Sequence, residues 1–266
     1  MWSKKSTKLA RDSLAEFVSS HDVCRQDYLS KTFTGHEYFP LNAGASERKE
    51  LLTATDLPLR LLLVYSLRSG FRKVGLGVRL VNVGELDRCH QETICKSGFA
   101  SLSYCWGGEQ SLQLNKVTHQ LLTKGIDVSR LPRTLEDATK VTKEIGLKYL
   151  WVDVLCIMQD NPQEMAGEIS RMPKYYGANT VTICAASADR SSSGFLNERS
   201  EAPCEYGPFQ LRYTSPNGDG VFQLLREQVQ EVQPISKRAW TLQESLLSRR
   251  LMIFSTKQLF WHCTQL

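Results

Sequence analysis

The sequence lacks the features that announce several large classes of protein. No apolar run is longer than Leu61-Leu-Leu-Val-Tyr65, which Arg60 and Arg68 flank. Such a run is far too short to cross a bilayer, so no membrane partner is expected. The start, Met1-Trp-Ser-Lys-Lys5, is polar and leads into no apolar run suited to secretion, so a cytoplasmic location is expected. There is no CxxC pair; Cys89-His90 with Cys95 is the one local group of metal-ligating residue types, and no metal is expected. GxSxG, HExxH and P-loop patterns are all missing. Gly75-Leu-Gly77 leads into an expected strand rather than a helix, which excludes a dinucleotide-binding fingerprint. The five histidines are scattered, and none pairs with a nucleophile. Internal repeats and low-complexity tracts are absent too.

What is present is ordinary for a soluble globular chain: 266 residues, 41% apolar and 23% charged, enough for a sizeable core. Lys and Arg exceed Asp and Glu by 33 − 28 = 5, without any long basic run, so no nucleic-acid partner is expected. Several of the eight cysteines lie inside apolar stretches, such as Leu155-Cys156-Ile157 and Ile183-Cys184-Ala185, and read as buried, reduced thiols.

Residues 1–55 read as a helical extension, with Leu9, Leu14, Phe17 and Val18 near helical spacing and a break at Asn42–Ser46. Residues 56–266 form the main domain. Leu57–Leu61 fits either a strand or a buried helix. Val78–Val83 alternates like a half-buried strand and stops at Gly84. Phe99–Cys105 is an expected strand running into a Trp106-Gly107-Gly108 turn. Thr134 and Asp137 resemble a capping box for a helix with the apolar stripe Leu135, Ala138, Val141, Thr142 and Ile145, ended by Gly146. A strand over 147–153, a helix over 162–175 and a strand over 180–185 follow. Strand alternating with helix is the pattern of a parallel sheet with crossover helices. Ser187–Gly194 reads as a loop and 200–220 as an irregular, β-rich insertion or hairpin. A helix near Arg238–Leu247 and strands near Arg250–Phe254 and Leu259–Cys263 close the chain.

Four blocks carry a resemblance. Ala100-Ser-Leu-Ser-Tyr-Cys-Trp-Gly107 resembles an "ALSYxWG" box, and Leu131-Pro-Arg-Thr-Leu-Glu-Asp-Ala138 an "LPxTxxDA" helix start. Tyr149–Asp160 resembles "YLWVDxLCIxQD", and Arg238–Arg249 resembles "RxWTxQExxLS", with Trp261-His-Cys263 as a closing "WxC". In this order, over residues 78–263, they are similar to the fungal heterokaryon-incompatibility (HET) domain. Ala239 stands where Gly is usual, and His262 where an acidic residue is common. The resemblance implies a cell-death effector of nonself recognition that self-associates on activation or works with a recognition protein. HET domains in turn resemble Toll/interleukin-receptor (TIR) domains. That implies an α/β, flavodoxin-like, mostly parallel sheet flanked by helices. Trp240-Thr-Leu-Gln-Glu244 is similar to the Trp-x-x-x-Glu of TIR domains that cleave NAD, where the glutamate is catalytic.

On that resemblance Glu244 is the expected catalytic carboxylate and NAD, or a related nucleotide, the substrate, with no cofactor. Tyr104, Trp106, Gly107, Asp153, Ser187, Arg238 and Trp240 are expected around it. Cleaving nicotinamide from NAD needs a dry site and a carboxylate facing the ribose as positive charge develops there. Trp240 and Glu244, four apart on a helix, share one face. Each residue also has a plainer role open to it. Trp240 fits a core position, with Glu244 paired to Arg238 or Arg249. Asp153 fits a loop cap, Tyr104 and Trp106 fit packing, and Gln159 and Asp160 fit helix caps. A signalling module without enzymatic activity, recruiting other effectors, is the competing reading.

Overall fold

The structure is a computed structural model describing residues 11–12, 57–69, 72–197, 209–215, 218–224 and 232–263. The expected extension over 1–55 lies outside these residues apart from helical 11 and 12, of which Arg11 donates to the Glu144 carbonyl.

The chain begins its sheet with a long hairpin of β1 (Arg60–Ser69) and β2 (Arg72–Asn82). The ambiguous Leu57–Leu61 stretch thus leads into a strand, where Leu61 and Leu62 are buried. Helix α1 (Arg88–Ser97), capped by Asp87, leads to β3 (Ala100–Ser103). Then come α2 (His119–Lys124), the two-residue β4 (Ile126–Asp127), α3 (Arg133–Glu144) and β5 (Tyr149–Trp151). The short α4 (Asp153–Cys156) and long α5 (Pro162–Ala178) precede β6 (Val181–Cys184). A separate hairpin, β7 (Phe209–Ser215) and β8 (Gly218–Leu224), supplies the expected β-rich insertion. The described chain closes with α6 (Ala239–Leu247), β9 (Arg250–Phe254) and β10 (Leu259–Cys263).

Eight strands form one sheet in the order β10-β9-β6-β3-β5-β1-β2-β4. Its centre, β9-β6-β3-β5, is parallel; both flanks are antiparallel. The sheet is therefore mixed rather than mostly parallel as expected. Two tight β-hairpins with no crossover helix, β1–β2 and β9–β10, build most of the flanks, and an antiparallel neighbour follows from each. The central strands are buried on both faces, as a layer between helices requires. One face carries Leu102 beside Ile183; the other carries hydroxyls, Ser101 beside Thr182 and Ser103 beside Cys184. Trp151 packs against the rings of Tyr175 and Tyr176 on α5, at 5.6 Å from each. Cys156 and Cys184 are buried free thiols. No helix among the described residues is long and apolar enough to cross a membrane.

The expected capping box is not formed. Pro132 is the N-cap of α3 and makes no side-chain capping bond, which leaves Thr134 one residue inside the helix. Thr134 and Asp137 share a helix face, and that face meets the loop after β6 instead. Thr134 donates to the Arg190 carbonyl and accepts from Gly194 N–H, while Asp137 Oδ2 accepts from the N–H groups of Phe195 (2.9 Å) and Leu196 (3.1 Å). The apolar stripe of α3 is buried as expected, and Gly146, at φ +90°, follows its end. Asn161 caps α5. Gln159 and Asp160 do not; they bind the Ile157 carbonyl and the Lys116 N–H.

Candidate functional site

Strands β3, β5, β6 and β9 run in one direction, so the segments leaving them open on the same edge of the sheet. Ligands of open α/β sheets bind beyond the carboxyl ends of the strands. Tyr104, Trp106 and Gly107 follow β3, Asp153 follows β5, and Ser187 follows β6. The expected residues are thereby gathered on one edge from distant parts of the chain.

Asp153 ties two of these segments together. Its Oδ2 accepts from the Trp106 indole N–H at 2.9 Å and its Oδ1 from the Val154 N–H at 2.7 Å. Both the loop-capping role and the Trp106 contact are thus realised in the protein itself. Gly107 sits where the loops after β3 and β6 cross. Its φ is +72°, and a Cβ there would lie 2.0 Å from the Arg190 Cβ, so only glycine fits. Ser191 N–H donates to the Trp106 carbonyl beside it. Ser187 joins the same edge through its backbone, donating to the Phe254 carbonyl at the end of β9.

Glu244 lies beneath this edge, on the hydroxyl-bearing face of the sheet. It is 6% exposed and accepts a short hydrogen bond from Ser103 Oγ at the end of β3. The Tyr176 hydroxyl of α5 faces the same carboxylate. The alternative ion pair with Arg238 is not formed: the Arg238 guanidinium donates to the Tyr104 carbonyl instead. Glu244 is joined to the loops through α6, whose last turn is held by a Ser248–Thr182 hydroxyl bond at 2.6 Å.

Electrostatics set this cluster apart. Burial pushes the Glu244 carboxyl above its ordinary range; the Asp153 charge adds to this, while the Ser103 hydroxyl and Arg238 oppose it. Burial likewise raises Asp153, against the pull of the Val154 N–H, the Trp106 indole and Arg238. Tyr104 and Tyr176 are raised well above the usual phenol value, first by burial and then by these two carboxylates. The Tyr104 hydroxyl is buried and makes no well-formed hydrogen bond among the described residues. Two carboxylates and two phenols thus act on one another here, and Arg238 is the one cation that opposes the rise of both carboxylates. Perturbed groups gathered at a strand-end edge make this a candidate site.

A cleft of about 570 Å³ opens beside α6, over the β9–β10 hairpin. Ser103 and Arg238 are on its wall, whereas Glu244 stands behind Ser103. Trp240 lies in the first turn of α6; its side chain lies outside the described part of the structure. Sequence reasoning missed Ser103 and Tyr176. The only available signal for Ser103 was a hydroxyl alternating with Ser101 in an otherwise apolar strand. No group of three or more His, Cys, Asp or Glu that could hold a metal ion occurs among the described residues. His90 of the Cys89–Cys95 segment bonds Asp87 at 2.7 Å.

No curated protein and no solved structure matches the chain. A model of the heterokaryon incompatibility protein (HET) family, in contrast, matches residues 99–244. That span opens at the start of β3 and closes on the carboxylate its Ser103 holds. It covers more than half of the sequence, and the chain belongs to the heterokaryon incompatibility protein (HET) family.

Proposed function

We propose that the strand-end cluster is the active site of a NAD hydrolase and that Glu244 is its catalytic carboxylate. Membership of the HET family suggests the wider role, in fungal heterokaryon incompatibility or cell death. The observation that carries the enzymatic reading is the buried Glu244 carboxylate, raised by desolvation and bonded to Ser103, which lines the cleft. The central strands support it further. Numbered along the chain as they occur, β3, β5, β6 and β9 lie in the order 2-1-3-4. This is the order of flavodoxin-like sheets, whose ligands sit at the split between the first and third strands. The split here falls between β3 and β6, where the Trp106–Gly107 and 187–191 loops cross.

In the proposed reaction the bond between ribose C1′ and the nicotinamide nitrogen breaks, and its electron pair returns to the pyridinium ring. Ionised Glu244 stabilises the positive charge left on the ribose, and Ser103 holds the carboxylate directly behind the cleft wall. Water adds to C1′, loses a proton and gives ADP-ribose; the water supplies the only atoms gained. The test is nicotinamide release from NAD by dilute and concentrated protein, with Glu244→Gln alongside. Release that vanishes in the variant is expected. Equal release from the folded variant would overturn the assignment.

A second reading is favoured by a separate observation. Leu242 and Leu246, one turn apart on α6, are 64% and 71% exposed. Exposed leucines on the helix that carries Glu244 suit a surface that associates with another copy or a recognition protein, with or without catalysis. Sedimentation of wild type against Leu242→Glu/Leu246→Glu reads it. Identical monomeric profiles over the accessible concentration range would remove it.

A further inference from the structure

We infer that the cleft between α6 and the β9–β10 hairpin is a binding site for the phosphates of a nucleoside diphosphate, anchored by Arg238. The inference deepens the hydrolase reading and rests on it for the nucleoside part; the anion contact stands on the cleft itself.

The cleft measures about 570 Å³, within the range of small-molecule sites. Its floor is a sheet face: Ile253 and Phe260 are cross-strand partners on β9 and β10, and both line it. Phe260 is 38% exposed and offers a flat ring to a base. Ser103 is at the end next to Glu244, and Arg238 and Thr241 stand on the helix wall.

Arg238 is a half-buried guanidinium that forms no ion pair with any carboxylate among the described residues. One of its donors is used on the Tyr104 carbonyl. A guanidinium presents five N–H donors in a planar fork, and phosphate oxygens match that fork better than a single carbonyl does. Arg238 is also the N-cap of α6. No side chain caps that helix and no acidic residue occupies its first turn, which leaves its positive end without a capping carboxylate. Lys257, on the β9–β10 turn, adds a second positive charge to the wall.

Spacing fixes the ligand class. Arg238 and Glu244 are six residues apart on one helix, about 9 Å along its axis. Of the two, Arg238 lines the cleft itself, and Glu244 meets it through Ser103, which is on the wall. A ligand with an anionic group at one end and a sugar at the other satisfies both; a free anion satisfies only Arg238.

The experiment is calorimetric titration of the whole chain with ADP, pyrophosphate and adenosine, at low and physiological salt. Saturable ADP binding is expected, at least tenfold tighter than either fragment and weakened by salt. Arg238→Gln should weaken it at least tenfold and Arg238→Lys less. Because Arg238 also holds the Tyr104 carbonyl, Ser236→Glu provides a second probe. It is an exposed position on the same wall, and a carboxylate there should also cost at least tenfold. No saturable ADP binding, binding indifferent to Ser236→Glu, or pyrophosphate as tight as ADP would overturn the inference. The two readings fail separately. Glu244→Gln should keep ADP binding while losing NAD cleavage. If NAD is cleaved but ADP neither binds nor competes, the cleft assignment falls and the hydrolase stands. If ADP binds as expected and NAD is not cleaved, the hydrolase falls and the phosphate site stands.

Discussion

Two buried carboxylates in this molecule have opposite surroundings. Asp137, on α3, is fully buried and almost completely answered: two backbone N–H groups meet its Oδ2, and Arg133 and Lys140 stand 3.7 and 3.8 Å from its Oδ1. Glu244, on α6, is nearly as buried but is met by hydroxyls alone, those of Ser103 and Tyr176, with a second carboxylate nearby and no ion pair among the described residues. The first locks a loop. The second is desolvated beside Ser103, on the wall of the cleft. Burial alone therefore does not separate the two carboxylates; the kind of donor around each does.

That comparison can be broken at either carboxylate. Asp137→Ala leaves two buried N–H groups without acceptors and should lower stability by about 3 kcal/mol, read by chemical denaturation. Gly194→Ala strikes the same lock from the loop side. Its φ of +71° and a new Cβ 2.5 Å from Arg133 Cγ should cost about 2 kcal/mol. Trp106→Phe removes the indole donor to Asp153 and should cost about 1 kcal/mol. Glu244→Gln should change stability least, within about 1 kcal/mol at neutral pH, because the amide keeps an acceptor for Ser103 and removes a desolvated charge.

The pH dependence sharpens the contrast. The folded pKa values of Glu244 and Asp153 are raised, so the folded state holds their protons more tightly than the unfolded chain does. Their contribution to stability is fully present below the ordinary carboxylate pKa of about 4. It is lost as pH rises through the raised folded values. Glu244→Gln should therefore gain on wild type as pH climbs through that window, in parallel thermal melts. A gap that stays constant with pH would mean that Glu244 is not desolvated.

The parallel centre was legible because its strands are short runs of apolar and small hydroxyl residues bounded by turn residues, and the family blocks fall on their ends. The antiparallel flanks were less so. The stretch Leu57–Leu61 has no period that separates strand from helix, and β4 is too short to leave a pattern. Thr134 and Asp137 were read one step too locally. Their spacing fits a helix cap, and only the tertiary fold brings the 190–196 loop to take the bonds a cap would have made. Asp153, Trp106, Tyr104 and Arg238 were expected around a ligand, but not that Asp153 would hold Trp106 and Arg238 the Tyr104 carbonyl. Ser103 was missed because hydroxyls alternating at 101 and 103 fit an ordinary half-buried strand as well as a site.

The bonds that complete the site span great stretches of chain: 141 residues from Ser103 to Glu244 and 134 from Tyr104 to Arg238. Synthesis delivers β3 early and α6 late, so a nascent chain carries its strand ends long before the carboxylate that faces them arrives. Whatever chemistry the edge performs, it cannot begin on the ribosome until α6 has emerged and docked.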